Sequence, residues 1–163
     1  MTAGCDGSRT KTDSVAFRRA VPDDLPTIVA LLADDPIGRD RENPGPQLDT
    51  RYRAAFEAIE RDPNQLLIVA DRGGHVIGVL QLTFIPGLTR RGMWRGQIEG
   101  VRVAADERAS GIGRAMLVWA VEECRKRGCG LVQLTSDKRR SGAHRFYEAL
   151  GFEATHEGYK LSL

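Results

Sequence analysis

The sequence has no uninterrupted apolar segment near the roughly 20 residues that a membrane-spanning helix needs. Its first fourteen residues are polar and rich in Gly, Ser and Thr, and they lack the apolar stretch of a signal peptide. We therefore expect residues 1–14 to be a disordered N-terminal tail and residues 15–163 to form one domain. No membrane partner is expected.

Cysteine is scarce, with three residues in 163. Because an odd number of cysteines cannot all pair within one chain, reduced thiols and a cytoplasmic location are expected. Cys124 and Cys129 have no second pair of Cys or His nearby, so no metal site is expected. Cys5 lies in the tail, and the other two flank a helix end, where packing is the usual role.

The chain has little excess of charge, with a formal net charge of +2, but the charges are unevenly distributed. Residues 108–145 hold nine Lys or Arg against three carboxylates. Such a basic half suits an anionic ligand, although solvated helix faces would carry the same charges. Nucleic-acid binding is not expected, since this region lacks aromatic side chains interleaved with the basic ones.

The segment Arg108–Gly113 joins the apolar run Ile98–Val103 to a helical pattern that begins at Arg114. A strand that turns through small residues into a helix presents unpaired N–H groups at the positive end of the helix dipole, which suits a phosphate or pyrophosphate. The segment lacks the Lys-Ser/Thr ending of a nucleotide-hydrolase loop and the third glycine of a dinucleotide-binding turn. It therefore predicts a different phosphorylated cofactor.

Apolar periodicity and turn residues predict the element order β-α-α-β-β-β-α-β-α-β. The predicted strands cover residues 15–20, 65–71, 75–85, 93–104, 130–135 and 159–163. The predicted helices cover residues 22–32, 50–61, 114–127 and 141–150. This order predicts a mixed α/β fold around one central sheet.

A second motif, Ala143-x-x-Phe146-Tyr147-x-x-x-Gly151-Phe152, lies one strand after the Gly-rich segment. Together with Arg108-x-x-Gly111-x-Gly113 and the element order, it resembles the GNAT superfamily of acyl-CoA-dependent N-acyltransferases. The resemblance covers roughly residues 15–163. It implies an α+β fold with a mixed, largely antiparallel central sheet, helices on both faces and a splayed pair of strands that binds CoA. The implied cofactor is acetyl-CoA.

The resemblance also implies which residues hold this cofactor. The backbone of Val101, Arg102 and Val103 would pair with the pantetheine arm, and Gly100 sits where a bulge would cause the splay. The amides that would cradle the pyrophosphate belong to Arg108, Ala109, Ser110, Gly111, Ile112, Gly113 and Arg114. The side chains of Arg108, Arg114 and Arg140 would add positive charge. Arg140 stands where many relatives carry a cofactor-binding Asn, so that contact is left open.

The implied reaction is direct attack of an amine on the acyl thioester. Tyr147 is the candidate acid for the departing thiolate, and Glu99 is the candidate base that deprotonates the amine, directly or through water. Three alternatives stay open: Tyr147 as a core aromatic, Glu99 as a surface ion-pair residue, and a backbone carbonyl with a water chain as the base.

We therefore expect an N-acetyltransferase that moves the acetyl group of acetyl-CoA to a primary amine of a small molecule or peptide. The Pro- and Gly-rich residues 34–48 and the helix over residues 50–61 would form the acceptor side. Eight carboxylates against five arginines in residues 34–62 favour a cationic acceptor. The alternative is a non-catalytic CoA-binding sensor or scaffold. Since members of this superfamily are often dimers, a homodimer is an expected assembly.

Overall fold

The computed structural model describes residues 14–45 and 47–163, so the expected tail lies outside the described residues except for Ser14. Five strands form one sheet in the order β1-β2-β3-β4-β5. They are β1 (Ala16–Arg19), β2 (Gln65–Arg72), β3 (His75–Ile85), β4 (Arg95–Val103) and β5 (Leu131–Leu134). All neighbouring strands are antiparallel except β4 and β5, which are parallel. The expected mixed, largely antiparallel sheet is confirmed.

Helices pack on both faces of the sheet, as expected. They are α1 (Leu25–Ala33), α2 (Thr50–Arg61), the single turn α3 (Thr89–Gly92), α4 (Ile112–Lys126) and α5 (Ser141–Glu148). Three 3₁₀ turns add Pro22–Asp24, Arg39–Arg41 and Ala105–Glu107. In the described part of the chain, no helix has the length and apolar character needed to cross a bilayer.

Strand alternation divides the core into two layers. On the face that α4 covers, called here the α4 face, Leu82 and Ile98 pack with Met116 and Leu117 of the helix. The opposite face, called here the α1 face, packs Val69 and Val79 against α1. Successive strand residues point to opposite sides of the sheet. The even-numbered Leu82 and Ile98 therefore lie on the α4 face, and the odd-numbered Val69 and Val79 lie on the α1 face.

A close approach between α4 and β4 depends on Gly96. A Cβ at this position would lie 2.2 Å from the Sγ atom of Cys124, which is fully buried and free. Burial raises the pKa of the Cys124 thiol to about 12, so it acts as a small apolar packing group rather than a nucleophile. No group of three or more metal-ligating side chains occurs among the residues that the structure describes.

The expected final strand over residues 159–163 is wrong. Residues 152–163 form neither helix nor strand, and the apolar side chains of Tyr159, Leu161 and Leu163 are exposed. Apolar residues alternate over 159–163, but this segment pairs with no strand of the described residues. Strand β5 therefore remains at the edge of the sheet. A period of two predicts which face a strand would bury, whereas the strand itself forms only beside a partner.

Candidate active site

The parallel strands β4 and β5 separate beyond Ile98, which forms the last pair with Leu134. Gly100 has a φ of 61°, and the register between β3 and β4 shifts next to it, as at a β-bulge. From the bulge to Val103, the edge of β4 that faces β5 has no partner strand in the described chain. The splay is therefore where the sequence predicts it, with Val101–Val103 on its open edge.

The Gly-rich segment forms an open turn at the N-terminus of α4. The N–H groups of Gly111–Arg114 donate to no other backbone group of the described residues, and the first helical bond runs from the Ala115 N–H to the Gly111 carbonyl at 3.0 Å. Gly111 has a φ of 89° and open space where a Cβ would stand. Four free donors at the positive end of the helix dipole suit a phosphorylated group.

The side chains of this turn are held differently. The Ser110 hydroxyl donates to the Glu107 carbonyl at 2.6 Å and so fixes the turn. Arg108 donates to the Asp34 carboxylate, which turns its guanidinium toward the end of α1. Arg114 is exposed and has no ion-pair partner in residues 14–45 or 47–163. It is therefore the guanidinium free to approach a ligand at this turn.

A buried carboxylate joins two arginines beside the splay. The side chain of Asp35 is 1% exposed, and its Oδ2 atom accepts hydrogen bonds from Arg102 at 2.7 Å and from Arg140. Its Oδ1 atom accepts from the Ile37 N–H at 3.2 Å. Burial opposes ionisation of Asp35, but Arg140, the Ile37 N–H and Arg102 together lower its pKa to about 2. Asp35 is thus ionised at neutral pH.

This bridge ties the loop after α1 to β4 and to the start of α5. Arg140 is engaged by Asp35, so its guanidinium is held at the loop after α1. The Nε atom of Arg102 is buried and finds no hydrogen-bond partner among the described residues. An unpaired buried donor on the open edge of β4 suits a site that a ligand completes.

Tyr147 extends from α5 into the same region. Its ring packs against Phe146 and Phe152, with centroids 5.4 and 6.0 Å away. The hydroxyl forms no hydrogen bond within the described chain, and it is not fully buried. Burial raises the pKa of Tyr147, while the charges of Arg102 and Arg140 lower it by less. The phenol therefore keeps its proton at neutral pH and can donate it.

Glu99 lies on β4 one residue before the bulge, on the α1 face of the sheet, and it is exposed. Its carboxylate has no ion pair or hydrogen bond with any residue that the structure describes. The surface ion pair considered as an alternative role is therefore not formed there. The carboxylate is open to water and lies beside the start of the splay.

The sequence did not predict that Asp35 bridges two arginines. In the sequence, Asp35 is only one of eight carboxylates in residues 34–62. Its partners, Arg102 and Arg140, lie 67 and 105 positions away. No local pattern carries a signal for contacts at such separations.

Comparisons with known proteins agree with this geometry. The model of the Acetyltransferase (GNAT) family matches residues 27–152. The chain belongs to the GNAT acetyltransferase family. It is an acyltransferase that moves the acetyl group of acetyl-CoA to the nitrogen of an amine.

The similarity to individual proteins covers from about half to nearly all of this acetyltransferase. The aminoalkylphosphonate N-acetyltransferase of Salmonella typhimurium is 32% identical over 148 residues, 90% of each chain. The glucosamine 6-phosphate N-acetyltransferase of Trypanosoma brucei brucei is 36% identical over 90 residues, 55% of this chain and 59% of the relative. A crystal structure described as a transcriptional regulator from Bacillus halodurans C-125 superposes with a TM-score of 0.90 at 48% identity, covering 92% of this chain and 100% of that one.

Proposed function

We propose that this acetyltransferase acetylates the primary amine of a small molecule and holds acetyl-CoA in the splay between β4 and β5. The observation that carries the proposal is the edge of β4 that has no partner strand in the described chain beyond Ile98 and leads to the free N–H groups of Gly111–Arg114. On this edge, the Val101 and Val103 carbonyls accept hydrogen bonds, among the described residues, only from the side chains of Arg102 and Arg108. Bound there, acetyl-CoA supplies an activated acetyl thioester. The backbone of Val101–Val103 holds the pantetheine arm, and the free amides of Gly111–Arg114 hold the pyrophosphate.

Two residues move protons in this proposal. Tyr147 donates its phenolic proton to the departing thiolate, for which its raised pKa and its free hydroxyl suit it. Glu99 accepts a proton from the acceptor ammonium, directly or through water, because its unpaired carboxylate lies next to the splay. An amine with a pKa near 10 must lose this proton before it can attack.

The arginines have separate roles. Arg114 adds charge at the pyrophosphate end, where it has no competing ion pair in the described chain. Arg108 holds the turn in place, since its guanidinium is engaged by Asp34 and its backbone N–H donates to the Ala105 carbonyl at 3.4 Å. Arg102 and Arg140 act near Tyr147, where their positive charges stabilise the negative charge of the departing thiolate.

The names of two relatives support a small-molecule acceptor. Both the aminoalkylphosphonate and the glucosamine 6-phosphate enzymes are named for small amines that carry a phosphorus oxyanion. Amines with a phosphonate or phosphate group are therefore the first class to test.

A homodimer and a cytoplasmic location complete the proposal. The exposed apolar side chains of Tyr159, Leu161 and Leu163 support self-association, which light scattering on the purified chain would detect. Cys124 and Cys129 are free thiols, in keeping with a reducing compartment.

The experiment is an acetyl-CoA-dependent thiol-release assay over small amines, amino acids, polyamines, phosphorylated amines and peptides. We expect thiol release with at least one small amine, together with a product whose mass increases by one acetyl group. Calorimetric binding of CoA without thiol release across the panel would instead support the sensor or scaffold alternative.

A further inference from the structure

A layer of uncharged polar side chains covers part of the α1 face of the sheet. We call this layer the polar floor, and its members are Gln65, Gln81, Thr83, Gln97 and Gln133. They are cross-strand neighbours, because Thr83 pairs with Gln65 on one side and with Gln97 on the other, and Gln97 pairs with Gln133. All five are partly exposed, whereas the intervening residues Leu82 and Ile98 are buried on the α4 face.

The floor is an ordered layer. The Gln65 Oε1 atom accepts hydrogen bonds from the Thr83 hydroxyl at 2.8 Å and from the Gln81 amide at 3.2 Å. The Gln133 amide donates to the Gln97 Oε1 atom at 2.7 Å. Ordering long polar side chains on a sheet costs conformational entropy without the gain of apolar burial. The Gln97 Nε2 atom donates to the Ile98 carbonyl at 3.4 Å. The Gln65 Nε2 atom and the Oε1 atoms of Gln81 and Gln133 form no hydrogen bond with a described residue.

Two unpaired charges flank this layer along β4. Glu99 lies two residues after Gln97, at the splay, and Arg95 lies two residues before it. Positions i, i+2 and i+4 of a strand share one face, so Arg95 and Glu99 both border the floor, about 13 Å apart at their Cα atoms. Neither side chain forms an ion pair or hydrogen bond with a residue in the described ranges.

The charge at the far end belongs to Arg95, which is partly exposed. The guanidinium of Arg95 lies beside the loop after β3. A Cβ atom added to Gly87 of this loop would lie 3.3 Å from one of the guanidinium nitrogens. Arg90 and Arg91 of the adjacent α3 are exposed. One end of the floor is thus basic, while the end beside the splay carries the carboxylate of Glu99.

We infer that the polar floor binds the acceptor, and that this acceptor is a hydroxylated, sugar-sized primary amine with a phosphate ester at its far end. The inference rests on the proposed function, because it places the acceptor nitrogen at Glu99. Hydroxyl groups both donate to and accept from the glutamine amides. A phosphate is held by Arg95 through charge-assisted hydrogen bonds. Because Arg95 and Glu99 lie about 13 Å apart at their Cα atoms, a two-carbon amine is too short to contact both side chains well.

The test compares glucosamine with glucosamine 6-phosphate, which differ only in the phosphate. We expect the wild-type chain to prefer the phosphate ester in kcat/KM by about 10- to 100-fold, the value of one charge-assisted hydrogen bond. Arg95→Gln should remove most of that preference by lowering kcat/KM for glucosamine 6-phosphate, and it should leave the KM for acetyl-CoA unchanged. Arg90→Gln, a nearby exposed arginine outside the floor, is the matched control and should retain the preference.

A second variant tests the floor itself. Gln97→Leu should raise the KM for both amines and leave the KM for acetyl-CoA unchanged, since it removes a hydrogen-bonding group next to Glu99. An unchanged phosphate preference in Arg95→Gln, or equal use of the two amines by the wild type, would overturn the inference.

Binding separates this inference from the proposed function. Calorimetric titration of glucosamine 6-phosphate into the CoA-saturated chain needs no turnover. If glucosamine 6-phosphate binds, Arg95→Gln weakens that binding and no amine gives thiol release, the result would support the polar floor as a binding site and contradict the proposed acetyl transfer. Thiol release with other amines but no binding of glucosamine 6-phosphate would support the reaction and overturn the floor.

Discussion

Asp35 and Arg140 lie 105 positions apart in the sequence and form an ion pair beside the splayed strands. The same carboxylate oxygen of Asp35 also accepts a hydrogen bond from Arg102 at 2.7 Å. One buried negative charge therefore holds two guanidinium groups near the phenol of Tyr147, whose pKa both of them lower. The pair also anchors the loop after α1 over the sheet.

Replacing Asp35 tests what this bridge contributes to stability. Asp35→Asn should lower the free energy of unfolding by about 3 kcal/mol, because it leaves two guanidinium groups without their buried carboxylate. Urea denaturation at neutral pH would measure the loss. Asp106→Asn, at an exposed carboxylate, is the control and should change stability little.

The same variant predicts a pH dependence. The pKa of Asp35 is lowered from 3.8 to about 2, so its contribution is complete above pH 4 and is lost as the pH falls through 2. The stability difference between wild type and Asp35→Asn should therefore narrow between pH 4 and pH 2. A difference that stays constant through that window would mean that Asp35 does not act as the ionised partner.

Gly111→Ala tests the turn at the start of α4. Alanine is strained at a φ of 89°, and relaxation of the turn would misalign the free N–H groups. We expect CoA affinity to fall about tenfold or more in a calorimetric titration. Gly128→Ala is a matched control, since Gly128 also has a positive φ of 76° and open space but lies beyond the other end of α4. Equal CoA affinity in both variants would exclude the turn as the pyrophosphate site.

Tyr147→Phe should reduce kcat by roughly 100-fold and leave acetyl-CoA affinity nearly unchanged, since the ring packing is kept and only the proton donor is lost. Tyr159→Phe removes a hydroxyl from an exposed residue and should have no effect. Steady-state kinetics and calorimetry on both variants would separate turnover from binding. A normal kcat in Tyr147→Phe would exclude Tyr147 as the acid.

Glu99→Gln should lower kcat/KM for the acceptor most strongly near neutral pH. The deficit should shrink as the pH rises toward the pKa of the amine, near 10, because a neutral amine needs no base. Glu122→Gln, on the exposed surface of α4, should keep the wild-type pH profile. A deficit that is independent of pH would point to binding rather than proton removal.

Gly96→Ala should destabilise the fold by about 1–3 kcal/mol or more, since its Cβ would stand 2.2 Å from the buried Cys124 sulfur. Gly142→Ala, in the first turn of α5 with no atom within 4 Å of a Cβ, should be neutral or slightly stabilising. Thermal unfolding of the two variants would measure the contrast. Equal melting temperatures would show that α4 and β4 are less closely packed than the structure indicates.

Local patterns predicted most elements closely. The helix over residues 50–61 has the predicted bounds, and the predicted strands over residues 65–71 and 75–85 match β2 and β3 to within one residue. The 3.6- and 2-residue periods report which face an element buries, and glycines such as Gly128 report where a helix ends. The single turn α3 was not predicted, because Arg90 and Arg91 adopt positive φ values that arginine seldom takes.

The sequence alone determined the family, the order of the five strands and of helices α1, α2, α4 and α5, and the turn at Arg108–Gly113, because these depend on residue types close together in the chain. Tertiary structure decided which distant side chains meet: Asp35 with Arg102 and Arg140, and four glutamines from four strands in one floor. It also decided that residues 159–163 form no strand, since strand formation requires a neighbour that no local pattern supplies. Strand register and the bulge at Gly100 set these juxtapositions, and both arise from packing of the whole sheet.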